Sequence, residues 1–292
     1  MNDAHCHFFS TPFFAALGGD AALAKLEWEP PGTAETLADR WAAELDRHGV
    51  TRAALIASVA GDAASVAAAV ERHRDRFVGF FMLDPTQPDA EATASAALAT
   101  GALRTICLFP AMHRYAVHDA CVQRIFEIAA ARSGTAVFVH CGVLSVGVRK
   151  KLGLSSPFDI RFGNPLDLQA IALRYPRVPF IVPHFGAGLL REALMVADLC
   201  PNVYVDTSSS NGWIKYTPGL TLDAVFKQAL AVLGPERLLF GTDSSFFPRG
   251  WVGEVYKTQS SALDAIGASA DVREKIFSAN FDRLFPISAP PT

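Results

Sequence analysis

The 292-residue sequence has no CxxC pair, and its five cysteines (Cys6, Cys107, Cys121, Cys141, Cys200) are odd in number and irregular in spacing. In a chain of this size that argues against a disulfide framework and reads as reduced thiols. A basic excess is missing as well. The formal charge is −3 and the pI is near 6.2, which argues against a general nucleic-acid footprint. No apolar run approaches the ~20 residues of a membrane span. The opening stretch MNDAHCHFF lacks the basic and apolar regions of a signal peptide. The expectation is a soluble, cytoplasmic protein without nucleic-acid or membrane partners. GxGxxG after the first strand and GxxxxGK[ST] are both absent, so the usual phosphate-binding signals of an open doubly wound sheet are missing. There is no internal repeat, charge block or low-complexity linker.

What remains is globular. Half of the residues are hydrophobic and 19% are charged, a composition that excludes disorder. A chain this long can bury a core without disulfides or a structural metal.

Short β-branched and aromatic runs recur with helical stretches between them. Strands are predicted at 1–6, 52–58, 77–83, 103–109, 135–140, 178–183, 202–207 and 237–242. Most are continuous apolar runs, the mark of strands buried on both faces in a parallel sheet. Residues 34–48 place Leu37, Trp41 and Leu45 on one helical face. Residues 119–132 do the same with Val122, Phe126 and Ala129, and Asp119 is suited to the cap. Further helices are predicted at 62–74, 89–100, 165–175, 188–199, 221–233 and 254–266, and an extra C-terminal helix at 271–284 is expected to pack on the outside. Eight strands, each followed by a helix, define an α/β fold, a (β/α)₈ TIM barrel forming one domain over 1–292. Residues 8–33 and 141–164 are unusually long loops that emerge at the C-terminal rim, where barrels build active sites.

Chemistry-bearing residues gather at that rim. In a strand, positions 5 and 7 face the same way, so His5 and His7 point together into the barrel mouth while Cys6 points outward. His140 ends TAVFVH, His184 ends VPFIVPH and Asp243 ends LLFGTD. Each therefore follows an apolar strand at the catalytic end. Any one of them could be an ordinary cap. Five at the ends of four strands point to a metal-centred site.

These residues resemble the amidohydrolase superfamily, in particular the group that includes aminocarboxymuconate semialdehyde decarboxylase and resorcylate-type decarboxylases. The matching stretches are His5-Cys6-His7, Val139-His140, His184-Phe185-Gly186-Ala187-Gly188 and Gly241-Thr242-Asp243. Asn164-Pro165-Leu166 and Arg283-Leu284-Phe285 support them. The resemblance implies one divalent metal, commonly zinc, held by His5, His7, His140 and Asp243, with His184 as general acid/base. Relatives with two metals bridge them by a Lys or Glu on the fourth or fifth strand. LRTICLF and TAVFVH offer neither at their ends, so a single ion is expected.

Asp206, closing the seventh strand, could reach the mouth. Arg114, Arg161 and Lys215 lie on loops after strands, as do Arg149, Lys151 and Arg249, and one or two of these could clamp a substrate carboxylate. The Phe-rich 8–14 segment could wall a pocket. Cys141 points away from His140 and reads as structural. Among the remaining histidines only His113 is placed near the mouth. The favoured reaction is metal-assisted hydrolysis of a C–O or C–N bond in a small molecule, with His184 and Asp243 moving protons. The alternative is non-oxidative decarboxylation of an aromatic or dienic acid. A homodimer is compatible with such a barrel, although no interface is readable.

Overall fold

The computed structural model describes residues 1–287. Eight parallel strands follow one another in chain order: β1 (Asn2–Phe8), β2 (Arg52–Ala57), β3 (Phe77–Leu83), β4 (Leu103–Leu108), β5 (Ala136–Val139), β6 (Phe180–Val182), β7 (Val203–Asp206) and β8 (Leu238–Leu239). Helices alternate with them, from Ala34–Arg47 after β1 to Gly253–Ala265 after β8. This is the (β/α)₈ barrel that the alternation predicts.

The eighth strand is shorter than expected. Only Leu238 and Leu239 pair with β7; beyond them the chain runs against β1 instead. Ala4 N donates to Phe240 O (2.7 Å), Asp243 N to His5 O (2.9 Å) and His7 N to Ser244 O (2.7 Å). These bonds close the barrel. They also bring the Asp243 loop alongside the two histidines of β1.

Strand alternation divides the apolar side chains into two layers. Leu55, Phe81, Ile106, Val137 and Val205 join the cluster between barrel and helices. Ile56, Phe80, Met82, Phe138 and Ile181 fill the barrel interior. The helices bury the faces their spacing predicts, Leu37, Trp41 and Leu45 in one and Val122, Phe126 and Ala129 in another. Asp119 does not cap its helix; its carboxylate accepts from Ala116 N at 2.9 Å instead.

The C-terminal segment corrects an expectation. It is Ala270–Glu274, a wider π turn over Lys275–Ala279, and Asn280–Leu284, and it does not lie wholly outside. Phe281 and Phe285 belong to the interior cluster together with Ala4, Ala54 and Ala136. Those alanines sit near the N-terminal ends of their strands, and their small side chains leave room that the two rings fill. Arg52 fixes the plug through Asp282 Oδ1 (2.5 Å) and Phe285 O (2.7 Å). The bottom of the barrel is thus sealed, and the site can open only at the other end.

The long loops after β1 and β5 carry short helices of their own, Thr11–Ala15, Asp20–Leu26 and Gly147–Lys151. They pack together in a third apolar cluster around Phe13, Phe14, Leu23, Val148 and Leu152. This cluster roofs one side of the barrel mouth. Among the described residues no helix is long and apolar enough to cross a membrane.

Candidate metal centre

His5 and His7 project from β1 into the mouth, and Cys6 between them is buried in the barrel–helix layer. His5 Nε2 lies 3.4 Å from His7 Nε2. Asp243 Oδ1 completes the triangle at 3.7 Å from His5 Nε2 and 3.2 Å from His7 Nε2.

The protons on these rings follow from their other contacts. His5 Nδ1 is 2.6 Å from Asp206 Oδ2, a carboxylate that can only accept, so His5 Nδ1 carries the hydrogen. Ser58 Oγ donates its one hydrogen to Ile56 O (2.9 Å), so at 2.8 Å it accepts from His7 Nδ1. Both Nε2 atoms therefore present lone pairs, to each other and to a carboxylate oxygen. Three such donors in mutual contact repel unless a proton or a metal ion lies between them. Ligand atoms about 2.1 Å from a tetrahedral ion stand about 3.4 Å apart, close to the separations found here. The donor set fits a divalent metal.

His140 lines the same cavity but is not one of the three converging groups. Its ring stacks on Phe109, 5.5 Å between centroids, and meets His184 edge-on at 5.2 Å. Its buried Nδ1 has no hydrogen-bond partner among the described residues. Burial, reinforced by the neighbouring His184, pushes its pKa well below the ordinary imidazole range.

His184 begins a short turn after β6 at φ +56°, and Phe185 and Asp243 also have positive φ. Such conformations cost side-chain-bearing residues roughly 1–3 kcal/mol each and collect at functional sites. His184 Nδ1 is anchored by Ser208, 2.8 Å from its Oγ and 3.3 Å from its carbonyl oxygen. Nε2 is left for the cavity. Burial and the nearby His5 lower its pKa.

The charges around His5 are coupled. Burial would lower the pKa of His5, but the Asp206 carboxylate outweighs it and the net shift is upward. Asp206 shifts down, held ionised by His5 against its own burial. Asp243 also lies well below the carboxylate range; burial opposes this, and the His7 contact and the other imidazoles prevail. Gly241 belongs to the same construction. A Cβ there would stand 2.8 Å from His5 Cβ and 2.9 Å from Ser208 Cβ, so only glycine lets the loop approach.

Asp3 supports the site from beneath. Its buried carboxylate accepts from His5 N (2.9 Å), Thr242 N (3.1 Å), Thr242 Oγ1 (2.6 Å) and Trp251 Nε1 (2.7 Å). These bonds tie β1 to the Asp243 loop. Neither Asp3 nor Ser58 is singled out by sequence reasoning, although Asp3 is a carboxylate within the strand that carries both histidines.

The centre floors a cavity of about 530 Å³, within the range of small-molecule sites. Phe9, Phe13, Trp28, Phe109, Trp213 and Phe246 supply aromatic wall. Of the cations named from sequence, Lys215, Lys151 and Arg249 line it. Arg114 is exposed outside that lining and donates to Pro157 O (2.8 Å). Arg161 is exposed too and pairs with Asp159 (2.6 Å), whose carboxyl it pulls down to about 2. Arg149 donates to Ser155 O (2.6 Å). Asp206 lies below the cavity lining, under His5. His113 does not reach the cavity, and Cys141 is buried in the barrel–helix layer.

Known proteins show the same architecture. A 5-carboxyvanillate decarboxylase from Sphingomonas paucimobilis is 16% identical, with a TM-score of 0.66 over 99% of both chains. An amidohydrolase from Burkholderia multivorans, solved with bound zinc, is 18% identical, with a TM-score of 0.64 over 98% of this chain and 99% of that one. Protein fluG of Emericella nidulans is 34% identical over 88 residues, which are 29% of this chain and 10% of that protein. The profile of the amidohydrolase family matches residues 3–287, and the chain belongs to that family.

Proposed function

We propose that the protein is a metal-dependent hydrolase that cleaves a C–O or C–N bond of a small molecule with water. The observation that carries this reading is the convergence of the His5 and His7 Nε2 lone pairs on Asp243 Oδ1 at the floor of an open cavity. His140, whose buried Nδ1 has no hydrogen-bond partner among the described residues, completes the ligand set. One ion suits this chain, because β4 and β5 end without a Lys or Glu to bridge two. Zinc, which the Burkholderia relative binds, favours this nitrogen and oxygen donor set.

A bound divalent ion supplies a Lewis acid for a carbonyl oxygen and lowers the pKa of its water towards ~7. The chain does the rest. Asp243 turns Oδ1 to the imidazoles and keeps its other oxygen to accept a proton. Ser208 holds His184 at Nδ1, which leaves Nε2 to take a proton and return it to the leaving group. The aromatic walls keep bulk water from the reacting bond.

A second reading is non-oxidative decarboxylation. Aromatic faces with Lys151, Lys215 and Arg249 among them also fit a planar carboxylic acid. Here the C–C bond to the carboxylate breaks, and His184 or Asp243 delivers the proton that carbon takes up. Turnover of a panel of lactones, esters, amides and aromatic or dienic acids in ¹⁸O-water separates the two. The expected result is solvent oxygen in a new carboxylate or alcohol and no carbon dioxide. Carbon dioxide released without labelling of the organic product would establish the lyase. A metal-loaded protein inert to the whole panel would contradict both.

A further inference from the structure

Asp243 stands on a loop beyond the last residue of β8, at φ +61°. A left-handed conformation costs a residue with a side chain roughly 1–3 kcal/mol and persists only where its surroundings hold it. The residues on either side of Asp243 show what holds it. Thr242 gives its N–H and its hydroxyl to Asp3, at 3.1 and 2.6 Å. Ser244 Oγ lies 2.6 Å from Thr242 Oγ1 and accepts from Val252 N at 2.9 Å. The far end of the loop thus returns to the residue next to Asp243.

This closure is fastened from outside the loop. Trp251 is buried and donates twice: its indole Nε1 to Asp3 Oδ2 at 2.7 Å, and its backbone N to Glu44 Oε1 at 3.0 Å. Glu44 sits with Leu37, Ala38, Trp41 and Leu45 on the buried face of the helix Ala34–Arg47. A carboxylate on such a face is costly unless its oxygens are used. Arg47 and His48, both more exposed, meet it as well. Those ion pairs need no buried carboxylate; the bond to Trp251 N does. Gly250 permits the approach. It has φ +65°, and a Cβ there would collide with Glu44 Oε1.

We propose that Glu44 and Trp251 are positioning residues of the metal centre. Through Asp3, Thr242 and Ser244 they hold the backbone of Asp243 in the conformation that turns Oδ1 to His5 and His7. Neither residue lines the cavity, so they act only through the groups they hold. This rests on the metal-dependent reading proposed above.

Competition for zinc against a chromophoric chelator tests the proposal on Trp251→Phe, Glu44→Leu and Glu44→Gln, with circular dichroism on the same samples. Trp251→Phe keeps an aromatic ring and loses the donor to Asp3. Glu44→Leu keeps the bulk and loses the acceptor. Each should weaken zinc binding about tenfold, the low end of what losing a supporting contact does to metal affinity. Glu44→Gln still offers an oxygen to Trp251 N and should bind zinc as the wild type does. Phe285→Ala controls for lost stability alone: it disturbs the other end of the barrel and should leave the affinity unchanged. Unchanged affinity in folded Trp251→Phe or Glu44→Leu would overturn the role of that residue. An equal loss in Glu44→Gln or Phe285→Ala would reduce the effect to general destabilisation and overturn both roles. If Glu44→Leu does not fold, Trp251→Phe decides. A wild type that takes up no zinc sinks the hydrolase reading and this role together. A wild type that binds zinc, with variants that match it, sinks this role alone.

Discussion

His5 Nδ1 stands 2.6 Å from Asp206 Oδ2, with both side chains buried at 1% exposure. That bond decides which nitrogen of His5 is left for the cavity. Without the carboxylate the ring could adopt the other tautomer or turn, and its Nε2 would no longer be committed to the metal centre.

Asp206→Asn should therefore weaken metal binding by about 10–100-fold, the usual effect of losing the group that orients a ligating histidine. Competition against a chromophoric chelator measures it, with circular dichroism as the control for folding. Unchanged affinity would remove Asp206 from this role.

His140→Ala should lose the metal while keeping the fold, because the barrel core does not depend on the ring that stacks on Phe109. Elemental analysis after dialysis checks it. Full occupancy in this variant would exclude His140 from the ligand set and leave its unpartnered Nδ1 without an explanation.

His184→Asn separates proton transfer from ligation. The asparagine can still bond to Ser208, so the variant should retain its metal. Turnover should fall by ~10²–10⁴ and the pH–rate profile should lose a limb. If the metal leaves together with the activity, His184 is a ligand.

Phe285→Ala addresses the other end of the barrel. The ring is fully buried and packs on Phe80 and Phe281, with 5.3 Å between centroids in each pair. Its loss should cost about 3–5 kcal/mol. Thermal unfolding should then begin several degrees lower, roughly 2–4 °C per kcal/mol in a chain of this size class. Metal content should not change. A stability near that of the wild type would mean that the C-terminal helix lies on the barrel rather than in it.

The barrel was legible because parallel strands buried on both faces leave apolar runs that need no alternation to be recognised. FVGFFML is β3 from its first residue to its last. The strand-end places of His140, His184 and Asp243 were legible because each stands directly after such a run, where a chemical role competes with little else. The partners of the site's histidines were not. Asp206 meets His5 across 201 residues, and Ser58 meets His7 across 51. No local pattern encodes either contact. Loop position could not separate Lys215, which lines the cavity, from Arg114 and Arg161, which turn elsewhere, because a loop's sequence does not specify where its side chains point. The helical pattern over 271–284 could not tell that a floor lined by Ala4, Ala54 and Ala136 would receive Phe281 and Phe285.

The central claim is one divalent ion shared by His5, His7 and Asp243. Anomalous diffraction at the zinc edge from zinc-loaded crystals tests it most directly. The account predicts a single strong peak about 2.0–2.2 Å from His5 Nε2, His7 Nε2 and an Asp243 carboxylate oxygen. Two peaks in the cavity, or one that leaves either β1 histidine unbound, would contradict it.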